Sequence, residues 1–75
     1  MNTITLNKEQ VEAVAKGVKA GLNTIEIDEL QIDVEYDEGR FYWLFGWQYQ
    51  YPLEDWVEAD IDEESINKVK ECITN

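Results

Sequence analysis

Leu30-Gln31-Ile32-Asp33-Val34-Glu35-Tyr36-Asp37 places an apolar residue at every second position and a polar, mostly acidic one between. That is the two-residue period of a strand with one dry and one wet face. It assigns Leu30, Ile32, Val34 and Tyr36 to a core, and Asp33, Glu35 and Asp37 to solvent. Asp37-Glu38-Gly39-Arg40 then supplies turn chemistry, because Gly39 accepts the positive φ of a tight hairpin and an Asp side chain can cap the turn. The run Phe41 to Tyr51 is rich in the rings that strands favour. A regular strand there puts Phe41, Trp43, Phe45, Trp47, Tyr49 and Tyr51 on one face, and burial of that row is the simplest expectation. Tyr42, Gln48 and Gln50 would then lie opposite, and a bulge at Gly46 would reset the parity of Trp47 to Tyr51. Pro52 lacks the N–H that a ladder requires, so the strand ends before it. After an acidic loop at Glu54 and Asp55, alternation resumes, with Val57, Ala59 and Ile61 on one side and Trp56, Glu58 and Asp60 on the other.

Both ends of the chain read as helices. Asn7 is placed as an N-cap with Gln10 three residues on, the spacing of a capping box, and Leu6 with Val11 forms a hydrophobic staple. Val11, Val14, Val18 and Leu22 recur at helical spacing beside Ala15, Glu12 and Lys16 make an i,i+4 pair, and Gly21 ends the helix in the left-handed region. Gly17 costs up to about 1 kcal/mol relative to alanine inside a helix, and close packing against the sheet is one reason to keep it. In the last segment Asp62 is an N-cap, Ile61 and Ile66 are spaced as a staple, and Glu63 and Glu64 occupy the first turn. Ile66, Val69, Cys72 and Ile73 form its apolar stripe, and Glu64 pairs with Lys68. Thr3 to Leu6 reads as a short strand or an extended lead-in, and Thr24 to Asp28 as a separate strand or the opening of the hairpin. The expected fold is one α+β domain over residues 1–75, in the order α-β-β-β-α. A three- to four-stranded antiparallel sheet carries an N-terminal and a C-terminal helix on one face, and the other face is wet.

The net charge of −11 is unevenly placed: residues 26–64 hold 14 acids against Arg40, whereas residues 1–25 and 65–75 are each +1. A chain so acidic, with no basic patch, does not bind nucleic acid itself. Nine aromatics help a 75-residue chain bury enough area, and the single Cys72 forms no internal disulfide. With no signal peptide or membrane-length apolar run, a cytoplasmic location is the simple reading. There is no histidine, no Gly-rich phosphate loop and no metal-thiolate spacing, and Cys72 falls on a helix stripe as a small core residue. The acid clusters do not follow EF-hand ligand spacing. No enzymatic activity, cofactor or metal is expected.

What remains is a surface. Carboxylates at alternate strand positions repeat every ~6.6 Å, so Asp33, Glu35, Asp37, Glu58 and Asp60 make regularly spaced negative charge. Solvation alone accounts for acids on a wet face, but ordinary surfaces mix signs, and like charges directly opposite one another destabilise a sheet. Nucleic acid also presents regular negative charge and is bound through Lys and Arg, so a rigid acidic face can occupy a basic nucleic-acid channel. Trp56, on the acidic side of its strand, and Tyr42 read as interface anchors.

In size, charge and lack of catalytic groups, with no family motif among its residues, the chain resembles the small acidic inhibitors of phages and mobile elements. These are the DNA-mimic anti-restriction and anti-CRISPR proteins. The resemblance implies a stoichiometric inhibitor of a host defence enzyme. It would cover the basic surface of that nucleic-acid-binding protein with Asp33, Glu35, Asp37, Glu38, Glu58 and Asp60, with Trp56 and Tyr42 as desolvated anchors. Two other classes fit the same residues. One is a homodimer whose aromatic strand pairs edge to edge or stacks its rings across a two-fold axis. The other is an immunity-type plug that competes with an enzyme's substrate and not with nucleic acid.

Overall fold

The computed structural model describes residues 3–74. Its elements are β1 (Thr3–Ile4), α1 (Lys8–Lys19), β2 (Thr24–Ile27), β3 (Leu30–Asp37), β4 (Arg40–Gln50), β5 (Asp55–Ile61) and α2 (Glu63–Thr74). The α+β class is as expected, but the sheet is larger: five strands in the order β1-β5-β4-β3-β2. It is also mixed and not wholly antiparallel, because β1 runs parallel to β5 while the other pairs are antiparallel. Both undecided segments are therefore strands, which corrects the expected order α-β-β-β-α and the count of three to four.

The parallel edge has a physical cause. β1 feeds α1 and β5 feeds α2, and three cross-links tie the two strand-to-helix junctions together. Asp62 donates its N–H to the Ile4 carbonyl at 3.0 Å, Thr5 Oγ1 donates to Asp62 Oδ2 at 2.7 Å, and the Leu6 N–H donates to Ser65 Oγ at 2.9 Å. Running the strands in the same direction sets the helices side by side on one face of the sheet.

Local signals account for the helix boundaries. Asn7 and Gln10 form the reciprocal capping box, with 2.8 and 2.9 Å bonds. At the other end of α1, Gly21 has φ 77°, Leu22 N–H reaches the Gly17 carbonyl and Gly21 N–H that of Val18, both at 3.0 Å. That is a Schellman motif, and it carries Leu22 out of the helix, so this expected core residue is exposed. A Cβ on Gly17 would stand 2.6 Å from Ile25 Cδ1, so close helix-to-sheet packing is the reason for that glycine. Asp62 caps α2 by accepting the Ser65 N–H at 2.8 Å.

Val11, Val14, Ala15 and Val18 of α1 and Ile66 and Val69 of α2 share one core cluster with Ile25, Ile32, Val34, Leu44, Ala59 and Ile61. The sheet residues in that cluster all belong to one face. Among the described residues no helix covers the other.

The hairpin between β3 and β4 decides what that open face is made of. Its two turn residues, Glu38 and Gly39, have φ of 52° and 79°, as a type I′ turn requires. Asp37 pairs with Arg40 and Tyr36 with Phe41, but the next pair is Glu35 with Trp43, which leaves Tyr42 as the extra residue of a bulge. A one-residue offset flips every later side chain to the opposite face. Without the bulge, Trp43 would lie opposite Val34 and Phe45 opposite Ile32, in the core. With it, Leu44 and Gly46 take those places, and Trp43, Phe45 and Trp47 lie opposite Glu35, Asp33 and Gln31 on the open face.

The expectation that the ring row from Phe41 to Tyr51 is core therefore holds only at its start: Phe41, which precedes the bulge, and Trp43 are half-buried and pack against the core, and the later rings do not. Gln48, expected outside, lies opposite Leu30 and Val57 with core-side parity. Tyr51 falls in the turn after β4 and is exposed. Gly46 itself is not the bulge. It marks close approach, since a Cβ there would come within 2.7 Å of the Ala59 carbonyl oxygen and 2.8 Å of Ile61 Cδ1.

Candidate protein-binding face

Along the open face the central strand β4 presents Trp43, Phe45, Trp47 and Tyr49 at successive outward positions. On one side, β3 presents Gln31, Asp33 and Glu35 directly across from Trp47, Phe45 and Trp43. On the other, β5 presents Trp56 across from Tyr49 and Glu58 across from Trp47, with Asp60 two residues further along. The result is an aromatic ridge between two acidic rails. Adjacent strands lie ~4.8 Å apart, so the rails are separated by about 10 Å.

Rings stand between the acids in a regular way. Asp33 has Thr24 and Phe45 across from it, Glu26 has Gln31, Glu35 has Trp43, Glu58 has Trp47 and Asp60 has Thr3. No two of these acids face each other directly, so the like-charge penalty of adjacent strands is avoided. The charge nevertheless stays out of the helices. The two helices hold five lysines and five acids, so the strands and connecting segments, with twelve acids and Arg40, carry the whole −11.

The ridge is held in place from its flanks. Trp47 Nε1 donates to Asp33 Oδ2 at 3.0 Å, while Thr24 Oγ1 and Gln31 Nε2 donate to Asp33 Oδ1 at 3.2 and 3.5 Å. Asp33 is thus a half-buried positioning group for the Trp47 indole. Tyr49 meets Trp56 edge to face, with ring centroids 5.4 Å apart, and Tyr51 in the same manner at 5.2 Å. The Tyr51 hydroxyl donates to Glu29, and that hydrogen bond and its neighbouring charge hold the phenol above its ordinary pKa. Phe45 is 44% exposed and Trp56 39%. Trp43, Trp47 and Tyr49 are half-buried, and Trp43 also packs against the core. All three tryptophans of the chain belong to this face.

Of the residues that the sequence nominates, Asp33, Glu35, Trp56, Glu58 and Asp60 come together here. Asp37 and Glu38 form the end of the β3–β4 hairpin, beside Arg40. Tyr42 is exposed but sits in the bulge, outside the rows. Trp43, Phe45, Trp47 and Tyr49 were not legible as surface residues, because their placement depends on that single inserted residue.

Elsewhere the groups are already engaged. A shallow cleft is lined by Gln10, Asp28, Glu29 and Gln48 among others, but Gln10 Nε2 already donates to Asp28 at 3.1 Å. Cys72 is half-buried against the core. Among the described residues no group of His, Cys, Asp or Glu gathers as a metal site would, no buried side-chain polar atom lacks a partner, and no helix is long and apolar enough to cross a membrane. No protein-family model, no curated protein and no solved structure matches the chain.

Proposed function

We propose that this protein is a stoichiometric inhibitor that docks its open sheet face onto the basic, nucleic-acid-binding surface of another protein. It would thereby keep DNA or RNA off that surface, as a phage or mobile-element counter-defence protein of the anti-restriction or anti-CRISPR kind does. The supporting observation is the segregation of charge: the entire net charge lies in the strands and turns, whose one cation is Arg40 at the hairpin end, paired with Asp37, and among the described residues no helix covers the open face.

Glu35, Glu58 and Asp60 are exposed and available to lysines and arginines that otherwise hold phosphate. The rings between them supply the apolar centre that a protein interface needs inside its charged rim. The protein acts by occupancy and not by chemistry, in the cytoplasm where such enzymes work. Encounter is steered by charge, so association is fast at low salt and weakens as salt screens exposed charges over about 8 to 10 Å. A homodimer through the same face would oppose acid to acid, so this face is not expected to self-associate at low salt.

The test immobilises the protein, passes cell extract over it at low salt and elutes with a salt step. A captured nucleic-acid-binding protein that excess duplex DNA or RNA displaces is the expected result. The folded variant Glu35→Gln/Glu58→Gln/Asp60→Asn should lose at least about tenfold in affinity, the scale of one buried charged contact. Capture that is indifferent to nucleic acid and to these substitutions would overturn the proposal.

A further inference from the structure

We infer that the element received by the open face is a basic amphipathic α-helix of the partner: an apolar stripe laid on the aromatic ridge, with Lys or Arg on both flanks meeting the two acidic rails. This rests on the reading of the face as a docking surface and specifies what docks.

Three observations carry it. First, the dimensions agree. The rails stand about 10 Å apart, and a helix with its side chains is about 10–12 Å across. From Trp43 to Tyr49 the ridge runs about 20 Å, which matches about 13 helical residues. Along one rail, Asp33 and Glu35 are spaced at about 7 Å, close to the about 6 Å rise between helix positions i and i+4.

Second, the arrangement repeats what the molecule does on its other face. There α1 and α2 lay apolar stripes of Val and Ile on Ile32, Val34 and Leu44, and one layer of helix on the open side would complete a helix–sheet–helix sandwich.

Third, charge selects the occupant. A second copy of this chain would bring its own Glu35, Glu58 and Asp60 against the same residues. An apolar helix without flanking cations would leave the carboxylates partly desolvated and unpaired. A basic flank on each side satisfies both rails, and this is also the make-up of helices that enter the major groove of DNA, which is about 12 Å wide. The face then imitates a groove in both width and edge charge.

The probe is a synthetic peptide of about four helical turns, with Leu on one stripe and Lys and Arg on either side. Its control is the same composition scrambled to abolish the stripe. The three tryptophans report binding by fluorescence, and circular dichroism reports helix induced in the peptide. The amphipathic peptide is expected to bind at least about tenfold more tightly than the scrambled one, with a gain of helix. Phe45→Ser together with Trp56→Ser, at two of the most exposed rings of the face, should weaken that preference, read from the helix induced in the peptide, while leaving the domain's urea unfolding cooperative. Equal affinity for both peptides, still lost in Glu35→Gln/Glu58→Gln/Asp60→Asn, would overturn the helix inference and leave the acidic docking face intact. Failure of both peptides, or dimerisation of the protein through this face at low salt, would overturn the helix inference and count against the docking face as well.

Discussion

Ser65 is the buried polar side chain on which the β1 edge depends. It is 1% exposed, and its oxygen accepts the Leu6 N–H. Ser65→Ala leaves that donor without a partner, so unfolding in urea should show a loss of about 1–3 kcal/mol. Asp62 beside it has its pKa lowered, chiefly by the Ser65 hydroxyl and then by Thr5 and the Ser65 backbone. A carboxylate with a depressed folded pKa adds stability above its unfolded value, and that contribution disappears as pH falls through the folded one. The advantage of the wild type over Asp62→Asn is therefore expected to be full at neutral pH and to shrink below about pH 4, the ordinary carboxylate range. An advantage that grew on acidification would show that the cap works through some other group. Gly46 makes the opposite kind of demand, for the absence of a side chain. Its neighbour at 2.7 Å would be a backbone oxygen, which cannot swing aside, so Gly46→Ala is expected to cost about 1–3 kcal/mol by overpacking.

Among the elements, the β3–β4 hairpin holds both the most legible part of the chain and the least. The alternation of Leu30 to Asp37, the Glu38-Gly39 turn and the caps of both helices could be read directly, because each follows from a local rule of spacing or turn chemistry. The facing of Trp43 to Tyr49 could not. A two-residue turn and a regular ladder bury those rings, and nothing local marks Tyr42 as the residue that escapes pairing. What selects the bulge is global. The space beneath β4 is bounded by Ile4, Ile61 and the Ala59 backbone close to Gly46, and it accepts a glycine where the Phe45 ring would not fit. The short parallel edge was equally hidden, since two residues of β1 carry no period and their pairing depends on Asp62 and Ser65 far along the chain. If the bulge only sets parity, deleting Tyr42 should join Phe41 to Trp43 without moving either partner, Tyr36 or Glu35. The deletion variant should then fold, keep the solvent-accessible tryptophan emission of the wild type and remain open to iodide quenching. A blue-shifted, quencher-protected emission would mean that the rings had turned inward.

For the molecule as a whole, the acid-rich open face sets stability and binding against each other. Twelve acids and one arginine occupy the strands and their connections while the helices are balanced, so folding gathers like charge that the unfolded chain disperses. Interposing rings and neutral residues across each strand pair removes the worst contacts but leaves the longer-range repulsion, which salt screens. Raising sodium chloride from low to physiological strength should therefore stabilise the folded protein, on the order of 0.5–1 kcal/mol, as concentrated self-repulsion is relieved. Glu35→Gln/Glu58→Gln/Asp60→Asn should gain part of that amount at low salt and show a weaker salt dependence, because three exposed charges have left the face. The same substitutions are expected to weaken binding to a basic partner. A surface kept acidic only for solvation would give that variant a stability gain with no binding deficit, whereas a docking face gives the two effects opposite signs. Urea denaturation and titration with the basic amphipathic peptide, both performed on this triple variant at low and physiological salt, distinguish these two origins of the charge.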